Sequence, residues 1–194
     1  MKLIDFTIAF AILVVAFSVK SAITHYHLDS EHSSVSFATI KLSYVVEPAY
    51  IDSLTGQIDK NGNLNIDIPI EDIETGVSIR NERLNKLYFL SDLFPNATVK
   101  AKLPTDLFNA ETQITQRTIP VIVGILGNEA EISFKVNVVK HSDTITVSTV
   151  SPTVVEAASF GVPPENMEAL AKTVGGISIS DKVPVSFSLI FQAA

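Results

Sequence analysis

His32-Ser33-Ser34 sets an imidazole beside two hydroxyls, and His141-Ser142-Asp143 adds a carboxylate, the ingredients of a serine activated by a base. Neither run makes such a centre alone, because neighbours on an extended chain point to opposite faces and hydrolase triads are defined by geometry. His32 therefore reads as a structural histidine bonding a loop carbonyl, with titration as a base the sharper alternative. His141-Ser142-Asp143 reads as a hairpin turn. His25-Tyr26-His27 puts two imidazoles on one strand face, the start of a Zn or Cu site. Asp29 and His32 are near, but no third ligand is evident, so neither a metal nor another cofactor is expected. Arg80, Glu82, Arg83 and Lys86 read as a solvated helix face.

The chain that must position these groups has 194 residues, 46% hydrophobic, with 14 Lys+Arg against 21 Asp+Glu and a net charge of -7. That charge argues against nucleic acid, which needs a basic face, and no Gly-rich phosphate loop is present. The absence of cysteine removes disulfides, thiolate metal sites and thiol nucleophiles. Lys2 precedes an apolar run from Ile8 to Val19 that ends at Lys20-Ser21-Ala22. The run is shorter than the roughly 20 residues of a spanning helix and fits the roughly 7–15 of a signal-peptide core. Residues 1–21 read as an export signal cut after Ser21, with Ser18 and Ala22 as alternative cuts and an uncleaved membrane anchor as the competing reading, and residues 22–194 as one domain. A periplasmic or secreted location follows from the export-signal reading.

After residue 25 the dominant period is two, the strand signature. Leu64, Ile66, Ile68 and Ile70 alternate with Asn65, Asp67, Pro69 and Glu71. The preceding Asn61-Gly62, tolerant of positive φ at both positions, predicts a tight hairpin pairing 50–58 with 63–71. Alternation recurs over 97–103, 130–138 and 183–191. Gly127-Asn128 predicts a hairpin between 117–126 and 130–141, with apolar cover on both faces of the first strand, and His141-Ser142-Asp143 leads into 144–155. Over 35–44 the apolar set slips from Val35 and Phe37 to Ala38, Ile40, Leu42 and Tyr44, which predicts a bulge near Phe37-Ala38.

Two segments break the strand period. Between Gly76 and Pro95, Ile79, Leu84, Leu87 and Leu90 or Phe94 fall near helical spacing. Pro163-Pro164 and Gly175-Gly176 bracket a second short helix over 164–173, placed to cover one barrel end. The expected fold is all-β with small helical insertions, an antiparallel barrel of about eight strands, since closure leaves no exposed edge. A barrel of that size has an interior just wide enough for packed side chains or one small ligand.

Leu28-Asp29-Ser30-Glu31-His32-Ser33-Ser34-Val35-Ser36-Phe37 resembles the opening of the YceI family of exported lipocalin-like proteins, a hydrophobe-Asp pair followed by His-Ser-x-Val-x-Phe. Asp72-Ile73-Glu74-Thr75-Gly76 with Arg80, Glu82 and Leu84 is similar to its central segment, and Phe89, Phe94-Pro95 and Lys100 to its next strand entry. Ser159-Phe160-Gly161-Val162 resembles its Asp-Phe-Gly-hydrophobe turn, and Asp181-x-Val183 its last strand. The pieces stand in order over about residues 26–192. The resemblance implies a lipocalin-like barrel around a long apolar tunnel that accommodates a polyisoprenoid or similar amphiphile. Arg83 and Leu42 stand where the family commonly has His, and Asn81 and Ser159 where it has Asp, which puts the head group in doubt.

Apolar alternation marks a core before it marks a cavity, so each inward residue alone reads as filling. The resemblance turns the set into a tunnel lining: Val35, Phe37, Leu84, Leu87, Phe89, Ile132, Phe134, Phe160 and Phe187, with His32 as a polar contact for a head group and Arg80 as an anchor for an anionic head or for Glu74. Such a lining needs no catalyst, because a buried prenyl chain gains roughly 25 cal/mol per Å². The expected function is an exported protein that sequesters or carries an isoprenoid or other long-chain amphiphile, with no catalytic residue. The rivals are an envelope interaction module with a solid core and a His32-dependent enzyme on a lipid-like substrate. The acidic surface leaves an apolar barrel mouth as the means of a transient membrane contact, and association into a dimer stays open.

Overall fold

The computed structural model describes residues 25–194, and the export-signal reading of 1–21 lies outside them. Eleven strands appear: β1 (Tyr26–Leu28), β2 (Ser34–Lys41), β3 (Val45–Ile51), β4 (Thr55–Ile58), β5 (Asn63–Pro69), β6 (Asn96–Lys102), β7 (Thr112–Ile125), β8 (Asn128–His141), β9 (Thr144–Thr149), β10 (Thr153–Glu156) and β11 (Lys182–Ala193). Every pairing between them is antiparallel. The order β1-β4-β5-β6-β7-β8-β9-β11 returns to β1 and closes a barrel of eight strands, as the period-two pattern predicts. β2 and β10 flank the first half of β11, and β3 pairs with β2, so this half of the wall runs beyond the closed ring.

β5 shows how the pattern becomes a wall: Leu64, Ile66 and Ile68 are buried while Asn65 and Asp67 are exposed. Thr55 pairs with Asp67 and Ile58 with Leu64. The turn between β4 and β5 uses positive φ only at Gly62, +80°, with the Asp59 carboxylate accepting from the Asn61 and Asn63 N–H groups at 2.8 and 2.9 Å. A Cβ at Gly62 would come within 2.9 Å of the Leu103 carbonyl oxygen, so a side chain there would force the backbone apart. The β7–β8 hairpin turns on Leu126-Gly127, φ 52° and 76°, one residue earlier than Gly127-Asn128 suggests. On β7 the double cover is confined to the hairpin end. Ile122 through Ile125 are half-buried, whereas Gln116, Arg117 and Pro120 are exposed.

The bulge expected at Phe37-Ala38 is absent, and β2 pairs with β3 without interruption from Val35–Ile51 to Lys41–Val45. The register changes earlier. Between the pairs Leu28–Phe191 and Ser34–Ser188 the chain advances six residues on one side and three on β11. The excess is taken up by a single turn at Ser30–His32, whose N–H at His32 is capped by Asp29. Asp29 N donates to the Ile190 carbonyl at 2.8 Å, and the Ser33 hydroxyl, 2% exposed, accepts from Ile190 N at 2.9 Å. A serine side chain thus repairs the ladder where a backbone partner is missing.

The first helical segment is α1 (Ser78–Arg83), which widens into a π turn over Leu84–Phe89 and ends at Leu90, φ 50°. Ile79 is 51% exposed, so the apolar stripe does not begin where helical spacing placed it. The second is α2 (Pro164–Lys172), entered through prolines as expected. The Asn166 side chain donates to the Tyr88 carbonyl at 2.8 Å and fastens α2 to the π turn. Among the described residues no helix is long and apolar enough to cross a membrane.

Candidate functional site: an apolar barrel cavity

Inward residues of eight strands surround an open volume in one half of the barrel, with single or paired contributions from β3, β6 and β10. Val35, Phe37 and Thr39 come from β2, Ile66 and Ile68 from β5, Val121, Val123 and Ile125 from β7, Ile132 and Phe134 from β8, and Val183 to Leu189 at every second position from β11. Leu84, Tyr88 and Phe89 of the π turn and Met167 and Leu170 of α2 complete the lining from above the wall. The cavity measures about 220 Å³, against roughly 10–15 Å³ for a single water. A void of that size is not a packing defect.

Eight of the predicted residues line it: Val35, Phe37, Leu84, Phe89, Ile132, Phe134, Phe160 and Phe187. Phe134 and Phe187 meet edge to face, ring centroids 5.2 Å apart, a favoured aromatic geometry. Phe160 is held by the tight turn that ends at Gly161, φ 57°. Leu87 is half-buried but lies outside the lining, because the π turn holds more residues than an α turn and brings Tyr88 and Phe89 round to the face of Leu84. Tyr88, Thr39, Asp181 and the α2 pair Met167 and Leu170 escaped the sequence reading. The i, i+3 spacing of that pair in a proline-bracketed helix was the available signal.

The two predicted polar contacts lie elsewhere. His32 Nδ1 sits 3.1 Å from the Asp29 carboxylate, and its side chain is 61% exposed on the outer turn. The acid that orients this imidazole is thus the preceding Asp29, not a loop carbonyl, and the hydrogen bond to it raises the pKa of His32 and lowers that of Asp29. Arg80 bonds neither Glu74 nor the cavity: its Nη1 is 2.9 Å from Glu47, which Lys41 also meets at 3.0 Å. The Lys41 hydrogen bond, with Arg80 beside it, holds the Glu47 carboxyl below its usual range. Glu74 instead accepts from Gly76 N, and Asn81 accepts from Thr75 N at 3.0 Å, so the charged central segment fastens the entry to α1.

The polar lining is sparse: Thr39, Tyr88, Ser180 and Asp181. Burial pushes the Tyr88 hydroxyl above its ordinary value, reinforced by the nearby Asp181 charge. It therefore stays protonated and can donate. His25 and His27 stack 4.6 Å apart, and among the described residues no three His, Cys, Asp or Glu side chains converge as a metal site would require.

Comparison with known families matches the YceI-like domain over residues 26–191. Among solved structures the chain is similar to a polyisoprenoid binding domain from Saccharophagus degradans implicated in plant cell wall breakdown. The identity is 26% and the TM-score 0.80, over 87% of this chain and 98% of that one. BcnA of Burkholderia cenocepacia is similar at 17% identity and TM-score 0.61, over 84% and 98%. The YCEI protein of Campylobacter jejuni follows at 14% and 0.50, over 72% and 83%. The last two likenesses concern the fold alone. Comparison with curated protein sequences finds no match.

Proposed function

The chain belongs to the YceI-like family, and from that premise we propose that it is an exported, periplasmic or secreted carrier that sequesters an isoprenoid or other long-chain amphiphile and makes or breaks no bond. The observation that carries this reading is the cavity, whose 33 lining residues include only four polar ones. An apolar chain entering it exchanges water contact for wall contact without leaving a buried polar group unpaired. The binding described for the Saccharophagus domain supports the same ligand class. The position of His32, outside the cavity and paired with Asp29, favours a carrier over a lipid-modifying enzyme. Leu42, Tyr44 and Val46, exposed around the β2–β3 turn, support loading through a transient contact with a lipid surface.

Native mass spectrometry of the protein purified from an exporting host, followed by organic extraction, tests the proposal. A stoichiometric isoprenoid or fatty amphiphile is the expected result. A protein that emerges empty and also refuses prenyl lipids offered in excess would overturn it.

A further inference from the structure

Resting on the carrier reading, the polar rim of the cavity goes further and limits the head group. A shallow groove between α2 and the segment Ile177–Asp181 shares Val162, Met167, Ile179 and Asp181 with the cavity, which places Asp181 at the threshold between interior and solvent. Asp181 is the one lining residue with a formal charge, and that charge is negative. Beside it stand three hydroxyls, from Thr39, Tyr88 and Ser180. The Ser180 hydroxyl is spent, donating to the Lys182 carbonyl at 3.0 Å. Asp181 is exposed and Tyr88 and Thr39 are half-buried, so these three polar side chains of the lining are within reach of a guest.

Lys41, Arg80 and Lys182 do not reverse this sign, each being paired with a glutamate. Lys41 and Arg80 both close on Glu47 and neither lines the cavity, while Lys182 beside Asp181 pairs with Glu156 at 2.8 Å. The chain as a whole carries -7, so a phosphate or carboxylate arriving at the threshold meets repulsion both locally and at long range. We infer that the cavity selects long-chain amphiphiles with an uncharged hydroxyl head, a prenyl alcohol being the type, and rejects the phosphorylated form of the same chain. The head's O–H donates to Asp181 and its oxygen accepts from the Tyr88 hydroxyl. A diphosphate at the same place would leave its oxygens facing a carboxylate.

Competition between geranylgeraniol and geranylgeranyl diphosphate, equal in chain and different in head, tests this on the full protein by native mass spectrometry. The alcohol is expected to bind more tightly by on the order of tenfold or more, and the margin should shrink as salt rises, since the threshold is exposed. Asp181→Asn should narrow the margin and Asp181→Lys should close or reverse it. Tyr88→Phe should weaken the alcohol alone, with the apolar contact kept. Equal or tighter binding of the diphosphate overturns the head-group inference while leaving the carrier reading intact. Discrimination that Asp181→Asn does not change overturns the role given to Asp181. Binding of neither lipid overturns the inference, and the carrier reading falls with it only when the protein also emerges empty from the exporting host.

Discussion

The two halves of the barrel are built from the same alternating strands and end up as opposites. In the half around β1 and β4, Ile58, Val136 and Phe191 are each 1% exposed. The turn at Thr105–Phe108 drives Leu107 and Phe108 into the axis, where Phe108 meets the Tyr26 ring at 6.0 Å. In the half under the π turn and α2, Val35, Phe37, Ile132 and Phe187 also point inward yet are only half-buried, because their inner ends border the cavity. The difference lies in what occupies the axis. At the closed end a loop supplies large side chains as a plug, whereas at the hollow end the helices sit over the wall and leave the middle open. Apolar residues that face inward do not by themselves specify a solid interior; they specify an apolar one.

Truncation separates the halves most strongly. Phe191→Ala should lower stability by about 3–5 kcal/mol, the usual cost of emptying a packed aromatic site. Phe187→Ala, two turns of the pleat away on the same strand, should cost less than half of that, because part of its surface already faces a void. Equal losses in urea unfolding would show that the ends do not differ in packing. Ligand comes next: a saturating prenyl alcohol at a hundred times its Kd should add about 2.7 kcal/mol to the wild type and equally to Phe191→Ala. A thermal shift confined to the wild type would place the binding outside the hollow half.

Overpacking should act with opposite outcomes at the two ends. Val136→Phe is expected to destabilise by about 1–3 kcal/mol, since no room exists beside a residue buried to that degree. Val123→Phe should be close to neutral in unfolding and should abolish lipid uptake, as the new ring takes the guest's space. Introducing a charge, as in Phe37→Asp or Phe134→Asp, should end uptake before or together with folding. The smallest effect concerns the Asp59 turn at the closed end. The Asn63 backbone and side-chain hydrogen bonds lead in lowering the Asp59 pKa from 3.8 to about 2. A depressed carboxyl stabilises above its unfolded value and loses that contribution as pH falls through the folded one. Asp59→Asn should therefore melt earlier than wild type at pH 7 and alike near pH 2.

Much of the wall was legible from period alone. β5 alternates without exception, and Ile132, Phe134 and Phe187 read as inward because each sits in phase with its strand. The phase slip at 35–44 was real, but its cause was misplaced. Ala38 and Ile40 are half-buried on the opposite face of a regular strand, while the register shift sits at Asp29–Ser33, where a side chain completes the ladder. Leu87 was lost for a different reason, since a π turn cannot be seen in apolar spacing. Arg80 found Glu47, a partner on a strand more than thirty positions earlier that spacing along its own helix cannot reveal.

An antiparallel barrel and an apolar inward set can be read along the chain, because strand period and hydrophobic burial are local properties summed residue by residue. That half of this interior is open, with Thr39, Tyr88 and Asp181 among its few polar lining residues, emerges from the packing of distant segments. The physical reason is that filling or leaving an axis has the same apolar signature in the walls. The outcome depends on where a loop from 105–108 and two helices from distant parts of the chain come to rest.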